Sequence, residues 1–153
     1  MSRTKEATDK RDAGLSDYVF GKVQPQAIPS EEIVLGTVLM RPDRYDELSE
    51  VLSGPEFYVA AHQLIWEAVA AMRNAQKSVD LVTVAEYLIK QGKLDEIGGG
   101  YYLTELTIRA GLSWRVIDHA YVIKERYVRR QAVALGLQLT RMGYEDTTEL
   151  GEL

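Results

Sequence analysis

Between Phe57 and Gln76 runs FYVAAHQLIWEAVAAMRNAQ, a stretch whose apolar pattern makes sense only if other helices surround it. At about 3.6 residues per turn, Tyr58, Ala61, Ile65, Ala68, Val69 and Met72 fall in one stripe, which Leu64 and Ala71 widen. His62, Gln63, Glu67, Arg73 and Asn74 fall mostly elsewhere and leave one wet side. The expectation is a central helix with Ile65 and Trp66 in the core and shorter helices packed onto it.

The flanking segments supply those helices. Ser30 reads as an N-cap, with Glu31 and Glu32 where the helix dipole favours negative charge and Ile33, Val34, Thr37 and Val38 opening an apolar face that runs to about Met40. A second helix is expected from Pro42 to about Leu52, with Tyr45, Leu48 and Leu52 on one side and Gly54-Pro55 ending it. Asp80 and Gly92 mark both ends of a further helix, whose buried stripe is Leu81, Val84, Ala85 and Leu88, so Leu88 joins the core set. Its β-branched start, Val79 to Val84, also suits a strand, but the end signals favour helix.

Ser113 reads as the cap of a last helix running from Trp114 to about Tyr144, far longer than an ordinary globular helix. Trp114, Ile117, Tyr121, Val128, Ala132, Leu135, Leu139 and Met142 make one continuous stripe, and Val116, Ala120, Ile123, Tyr127 and Ala134 make a second. Two stripes imply two partners. Trp114 and Ile117 are expected under the chain's own head; Val128, Leu135, Leu139 and Met142 continue beyond its reach, so Ile117, Tyr121, Val128, Leu135, Leu139 and Met142 form a candidate self-association face. Residues 1–27 mix charged and polar types without a sustained period and read as a disordered arm, in which Val19, Phe20 and Val23 are the candidates for docking but a loose tail is favoured.

With no cysteine and two histidines, disulfides and thiolate metal sites are excluded, and the simplest setting is cytoplasmic. No run approaches the roughly 20 apolar residues of a membrane span. A net charge of −5 argues against coating nucleic acid by bulk attraction. Gly98-Gly99-Gly100 lacks the lysine, hydroxyl and spacing of a phosphate-binding loop and reads as a tight turn between helices, so no nucleotide cofactor is expected in this chain. Catalytic groups do not converge either. His62, near Trp66 and Glu67, reads as a satisfied structural histidine, His119 beside Asp118 as a solvated pair, and Ser53, Ser78 and Ser113 as turn or cap residues.

One charged feature stands out: Arg115, Arg126, Arg129, Arg130 and Arg141 share about a third of the last helix's circumference, with Lys124 off that face. Glu125 and Asp118 border it, so a solvated, partly neutralised face is favoured over a contact with nucleic acid or an acidic protein.

A set of ordered segments now goes further than periodicity. Pro25-Gln26 is followed by Ser30-Glu31-Glu32-Ile33-Val34-Leu35-Gly36, then Phe57-Tyr58 with Ala61-His62 and Ile65-Trp66-x-Ala68, then Val82 to Leu88, Gly98-Gly99 with Tyr102-Leu103-x-Glu105-Leu106, and Tyr121 through Lys124-Glu125-Arg126. In order and spacing, from Pro25 to about Asp146, this resembles the N-terminal domain of the DnaB-type replicative helicases of bacteria and their phages. The resemblance implies an all-α fold: a small orthogonal helical head over residues 28–112, a long hairpin helix over 113–145, and in 146–153 the truncated start of the hairpin's second helix. It also implies that hairpins pair between subunits, as a dimer for this piece and a hexameric collar for the parent, and that primase and the helicase loader dock on the assembly. ATP, magnesium and most DNA contacts are expected in a C-terminal RecA-like domain that these residues do not include, as in a fragment or a truncated reading frame. The expected role is therefore a non-catalytic scaffold; the competing reading is a free-standing helical DNA-binding or regulatory protein that uses the arginine face.

Overall fold

The computed structural model describes residues 22–111 and 113–152. Among them are six α-helices and no strand: α1 (Ile28–Met40), α2 (Tyr45–Ser49), α3 (Ala60–Asn74), α4 (Leu81–Lys90), α5 (Gly99–Ala110) and α6 (Val116–Tyr144). Most of the arm expected over residues 1–27 lies outside the described residues. Within the rest of it, Val23 is exposed, whereas Pro25 and Gln26 lie half-buried against the fold.

The hub is α1, not the Phe57–Gln76 stretch. Helix α1 packs against α5, α6 and α3, and Val34 to Leu39 are all buried, including Gly36 and Thr37. A helix apolar all round belongs in the middle of a structure, whereas the amphipathic α3 keeps a wet side and sits one layer out. Gly36 makes the crossing of α1 and α5 possible, since a Cβ there would stand 2.0 Å from the Leu106 carbonyl oxygen.

Several element starts differ from the sequence reading. Helix α1 begins at Ile28, with Ala27 at the N-cap position and Pro29 in the first turn, and the Ile28 N–H donates to Gln26 Oε1 at 3.1 Å. Ser30 is therefore inside the helix, where its hydroxyl bonds His119 instead of capping. Residues 42–52 form a 3₁₀ turn (Pro42–Arg44) and the five-residue α2, not one helix, although Leu48 and Leu52 are buried as that stripe required. Helix α3 starts at Ala60, so Tyr58 precedes it and is 42% exposed. Helix α6 starts at Val116 without a side-chain cap, and the Ser113 N–H closes the preceding turn on the Ala110 carbonyl.

Helix α4 matches its end signals closely. Asp80 accepts from the Thr83 N–H while the Thr83 hydroxyl accepts from the Asp80 N–H, a reciprocal capping box. Gly92 (φ +66°) follows the helix. The triple glycine turns the chain into α5 through Gly98 (φ +97°) and Gly99 (φ +79°), left-handed positions that glycine takes without steric cost.

One core unites these elements. Trp66 packs against Phe57 and Tyr45 with ring centroids 5.4 and 5.1 Å apart, and Ile65, Trp66 and Leu88 are 0–2% exposed. Val116, Ala120 and Ile123 from the first turns of α6 belong to the same cluster. The stripe facing the head is thus the Val116–Ile123 one. Trp114 is 82% exposed, which corrects the expectation that the head covers it, whereas Ile117 is half-buried against the core.

Candidate functional site: a polar spine and a protruding helix

Glu31 organises the polar interior. From the first turn of α1 its carboxylate accepts the Tyr58 N–H (2.6 Å) and the Val59 N–H (3.4 Å), so it caps α3 from across the core. The same carboxylate lies 2.6 Å from His62 Nδ1, and His62 Nε2 lies 2.5 Å from the Tyr102 hydroxyl. Since a carboxylate can only accept, Nδ1 carries the proton and Nε2 accepts from Tyr102 in the neutral ring. His62 is 0% exposed, not on the wet side of its helix. Its burial is tolerated because both ring nitrogens have partners, at positions 31 and 102, which local spacing could not reveal.

Carboxylate, imidazole and hydroxyl in a row is also the order of a nucleophilic triad. The chemistry points elsewhere. Burial, reinforced by the charge of Glu32, pushes the Tyr102 phenol above its ordinary range, so Tyr102 is a firm hydrogen-bond donor rather than an activated nucleophile. Nearby, Arg109 donates to Glu32 at 2.6 Å, and that bond raises the guanidinium pKa further. His119 is not a solvated partner of Asp118 but contacts Ser30 at 3.0 Å, while Asp118 pairs with Arg115.

A second cluster fastens α6 to the loop before α3. The Glu56 carboxylate, 2% exposed, accepts the Ser53 and Gly54 N–H groups at 2.9 and 3.0 Å and Lys124 Nζ at 2.8 Å. Burial alone would raise the Glu56 carboxyl, but hydrogen bonds from Lys124 and the backbone outweigh it and hold it below the usual range. One turn and a half further on, Arg130 donates to the carbonyls of Glu56 (2.8 Å) and Pro25 (2.7 Å), with its guanidinium over the rings of Tyr58 and Tyr127.

The arginines read as one face are thereby divided. Arg130 is spent inside the molecule, Arg115 and Arg129 pair with Asp118 and Glu125, and Arg126 buries its Nε without a hydrogen-bond partner among the described residues. Arg141 stands exposed near the far end of α6. Lys124, read as lying off that face, is the cation that joins α6 to Glu56.

Beyond Arg130 the helix leaves the head. Val128, Leu135 and Leu139 are 50–56% exposed and Tyr121 60%, while Met142 is half-covered, so a row of large apolar side chains faces solvent. Among the described residues no group of three or more His, Asp or Glu side chains is placed to hold a metal ion, and no helix is long and apolar enough to cross a membrane.

A compact helical head continued by one long helix that outreaches it defines the class: an all-α module with an unpartnered arm. The chain belongs to the DnaB-like helicase N-terminal domain family, whose model matches residues 23–125. It is 35% identical over 133 residues to the replicative DNA helicase DnaB of Rhodothermus marinus, covering 87% of this chain and 14% of that protein. With the helicase DnaB of Geobacillus stearothermophilus it shares 33% identity over 139 residues, covering 91% of this chain and 31% of the relative. The chain thus spans between a seventh and a third of these relatives' length. Among solved structures, the N-terminal domain of the Mycobacterium tuberculosis DnaB helicase superposes with a TM-score of 0.78 at 30% identity, covering 80% of this chain and 89% of that one. A DnaB-like replicative helicase described with its interactions with primase gives 0.67 at 25% identity, over 75% of this chain and 27% of that one.

Proposed function

We propose that this domain is a non-catalytic assembly module of a replicative helicase working in the cytoplasm: it joins subunits through α6 and receives primase and the helicase loader. The observation that carries this reading is the exposed row Tyr121, Val128, Leu135 and Leu139. Monomers seldom leave such a row in water, and a second copy of the same helix, related by a two-fold axis, covers it economically. Ile117 and Met142 extend the face at its two ends. ATP and magnesium chemistry belongs, on this reading, to the RecA-like part of the parent helicase, as do most DNA contacts, and the parent ring is hexameric. Primase as a partner is supported by a structural relative described with it, and the loader by the family resemblance alone.

Light scattering tests the assembly. The wild-type chain is expected to form a concentration-dependent dimer, and Leu135→Asp with Leu139→Asp to give a folded monomer, because a charge cannot be left unpaired in an apolar contact. A wild type that stays monomeric at high micromolar concentration overturns the reading. Use of the arginines for DNA is disfavoured by the internal bonds of Arg130, and tight, salt-steep DNA binding by this chain alone would reinstate it.

A further inference from the structure

Where α6 leaves the head, a cleft of about 410 Å³ opens between the end of α1 and the turn after α5, with Met40, Arg41, Arg44, Gly111, Ser113 and Trp114 in its walls. That lies within the roughly 300–1,000 Å³ of small-ligand sites, and every wall comes from one chain.

Two kinds of group meet there. Trp114 is 82% exposed, whereas the other tryptophan, Trp66, is 1% exposed in the core. Folding has left most of the Trp114 ring in water, so a flat apolar surface is still on offer. Arg115, outside the lining, stacks on the ring at 5.5 Å, which leaves the opposite face for a ligand. Beside the ring stand two guanidinium groups, and the lining holds no carboxylate. Arg41 and Arg44 do have acid neighbours, Asp43 at 3.5 Å and Glu47 at 2.6 Å. These are exposed or half-exposed pairs from two and three residues along the chain, which contribute little and exchange readily. A phosphate offers a guanidinium fork two oxygens and more charge than a carboxylate does, so it competes well for both arginines.

An aromatic face next to two such forks complements a nucleotide: a base with a π face, followed by phosphates. The surrounding charge limits how long that ligand is. Asp43, Glu47 and Asp118 sit among the arginines and the chain carries a net charge of −5, so no continuous basic track leads a strand's phosphates away from the cleft. An acidic peptide would use the arginines and leave the indole face in water. We propose that the Arg41/Arg44/Trp114 cleft binds a free nucleoside di- or triphosphate, its base stacked on the open face of Trp114 and its phosphates on Arg41 and Arg44. The site owes nothing to a phosphate-binding loop. Since its walls come from the end of α1, the turn after α5 and the residue pair before α6, an occupied cleft ties the head to the start of the long helix. It is complete in one chain and stands apart from the self-association reading.

Only one of the two tryptophans is within reach of a ligand in water, so fluorescence reads the site directly. ADP is expected to quench Trp114 saturably. Adenosine and pyrophosphate each carry half of the recognition and should bind about tenfold more weakly or worse. Arg41→Gln with Arg44→Gln should weaken ADP about tenfold, the loss of charge-assisted contacts to the phosphates. Calorimetry reads Trp114→Leu, which has lost the reporter and should lose binding by a similar factor. Arg129→Gln, outside the cleft and paired with Glu125, should leave ADP binding unchanged. Circular dichroism confirms that each variant is folded. ADP that leaves Trp114 unquenched overturns the proposal, as does binding that survives the double glutamine variant or is matched by pyrophosphate alone. A single-stranded oligonucleotide or an acidic peptide that binds the cleft while ADP does not would overturn it in favour of that ligand.

Discussion

Glu31 does three jobs with one carboxylate: it caps α3, holds His62 and, through His62, reaches Tyr102 on α5. Glu31→Ala would leave two N–H groups and an imidazole buried without their acceptor, at about 1–3 kcal/mol for each unsatisfied group, so its urea midpoint should fall well below that of Tyr102→Phe, which orphans a single group, His62 Nε2. Equal midpoints would mean that water replaces the carboxylate. Glu56 adds a pH dependence. Its carboxyl is held below the unfolded value, so the stability it contributes is fully present above the unfolded carboxylate pKa and is lost as pH falls through the lower, folded one. Glu56→Gln is expected to flatten the acid side of the stability curve, below about pH 4.5, and to leave the slope at neutral pH unchanged. What was legible at this scale was residue type: His62 read as structural from its setting near Trp66 and Glu67, with no convergent set of titratable groups in the sequence. Its partners were not legible, because Glu31 and Tyr102 join it only when α1, α3 and α5 meet.

Elements were legible in proportion to how local their signals are. Helix α4 carries its cap box and terminal glycine within 13 residues, and its expected ends match the observed ones. Helix α1 does not announce its role, since Val34 to Leu39 lack amphipathic contrast and only burial on every side explains them. Ser30 and Ser113 were misread for a shared reason: serine before an apolar run is a cap signal, but the backbone of α1 starts earlier and that of α6 later, placed by Pro29 and by the turn at Gly111. Two substitutions probe the element scale. Gly36→Ala should destabilise by about 1–3 kcal/mol or more, since the added methyl meets the α5 backbone, which moves only if the whole crossing loosens. Ile65→Ala should cost about 2–5 kcal/mol through the cavity it leaves in the core. Thermal unfolding monitored by circular dichroism reads both; a Gly36→Ala chain as stable as the wild type would contradict the close α1–α5 crossing.

On the scale of the whole molecule, the head is self-sufficient and the distal half of α6 is not. The existence of two stripes on α6 could be read from sequence, but not which one the head takes. Both are apolar, and the choice falls to Val116, Ala120 and Ile123 because α1 and the Glu56 loop approach that side, where Lys124 and Arg130 lock it. The other stripe then points outward for some ten further residues. Hydrogen exchange along α6, measured across a range of protein concentrations, tests the central claim most directly. The account predicts that amides from Val128 to Met142 become protected as concentration rises while those of α3 stay constant, because a second copy covers the distal helix and only the head covers α3. Protection of the distal helix that is already complete in dilute protein, and indifferent to concentration, would contradict it.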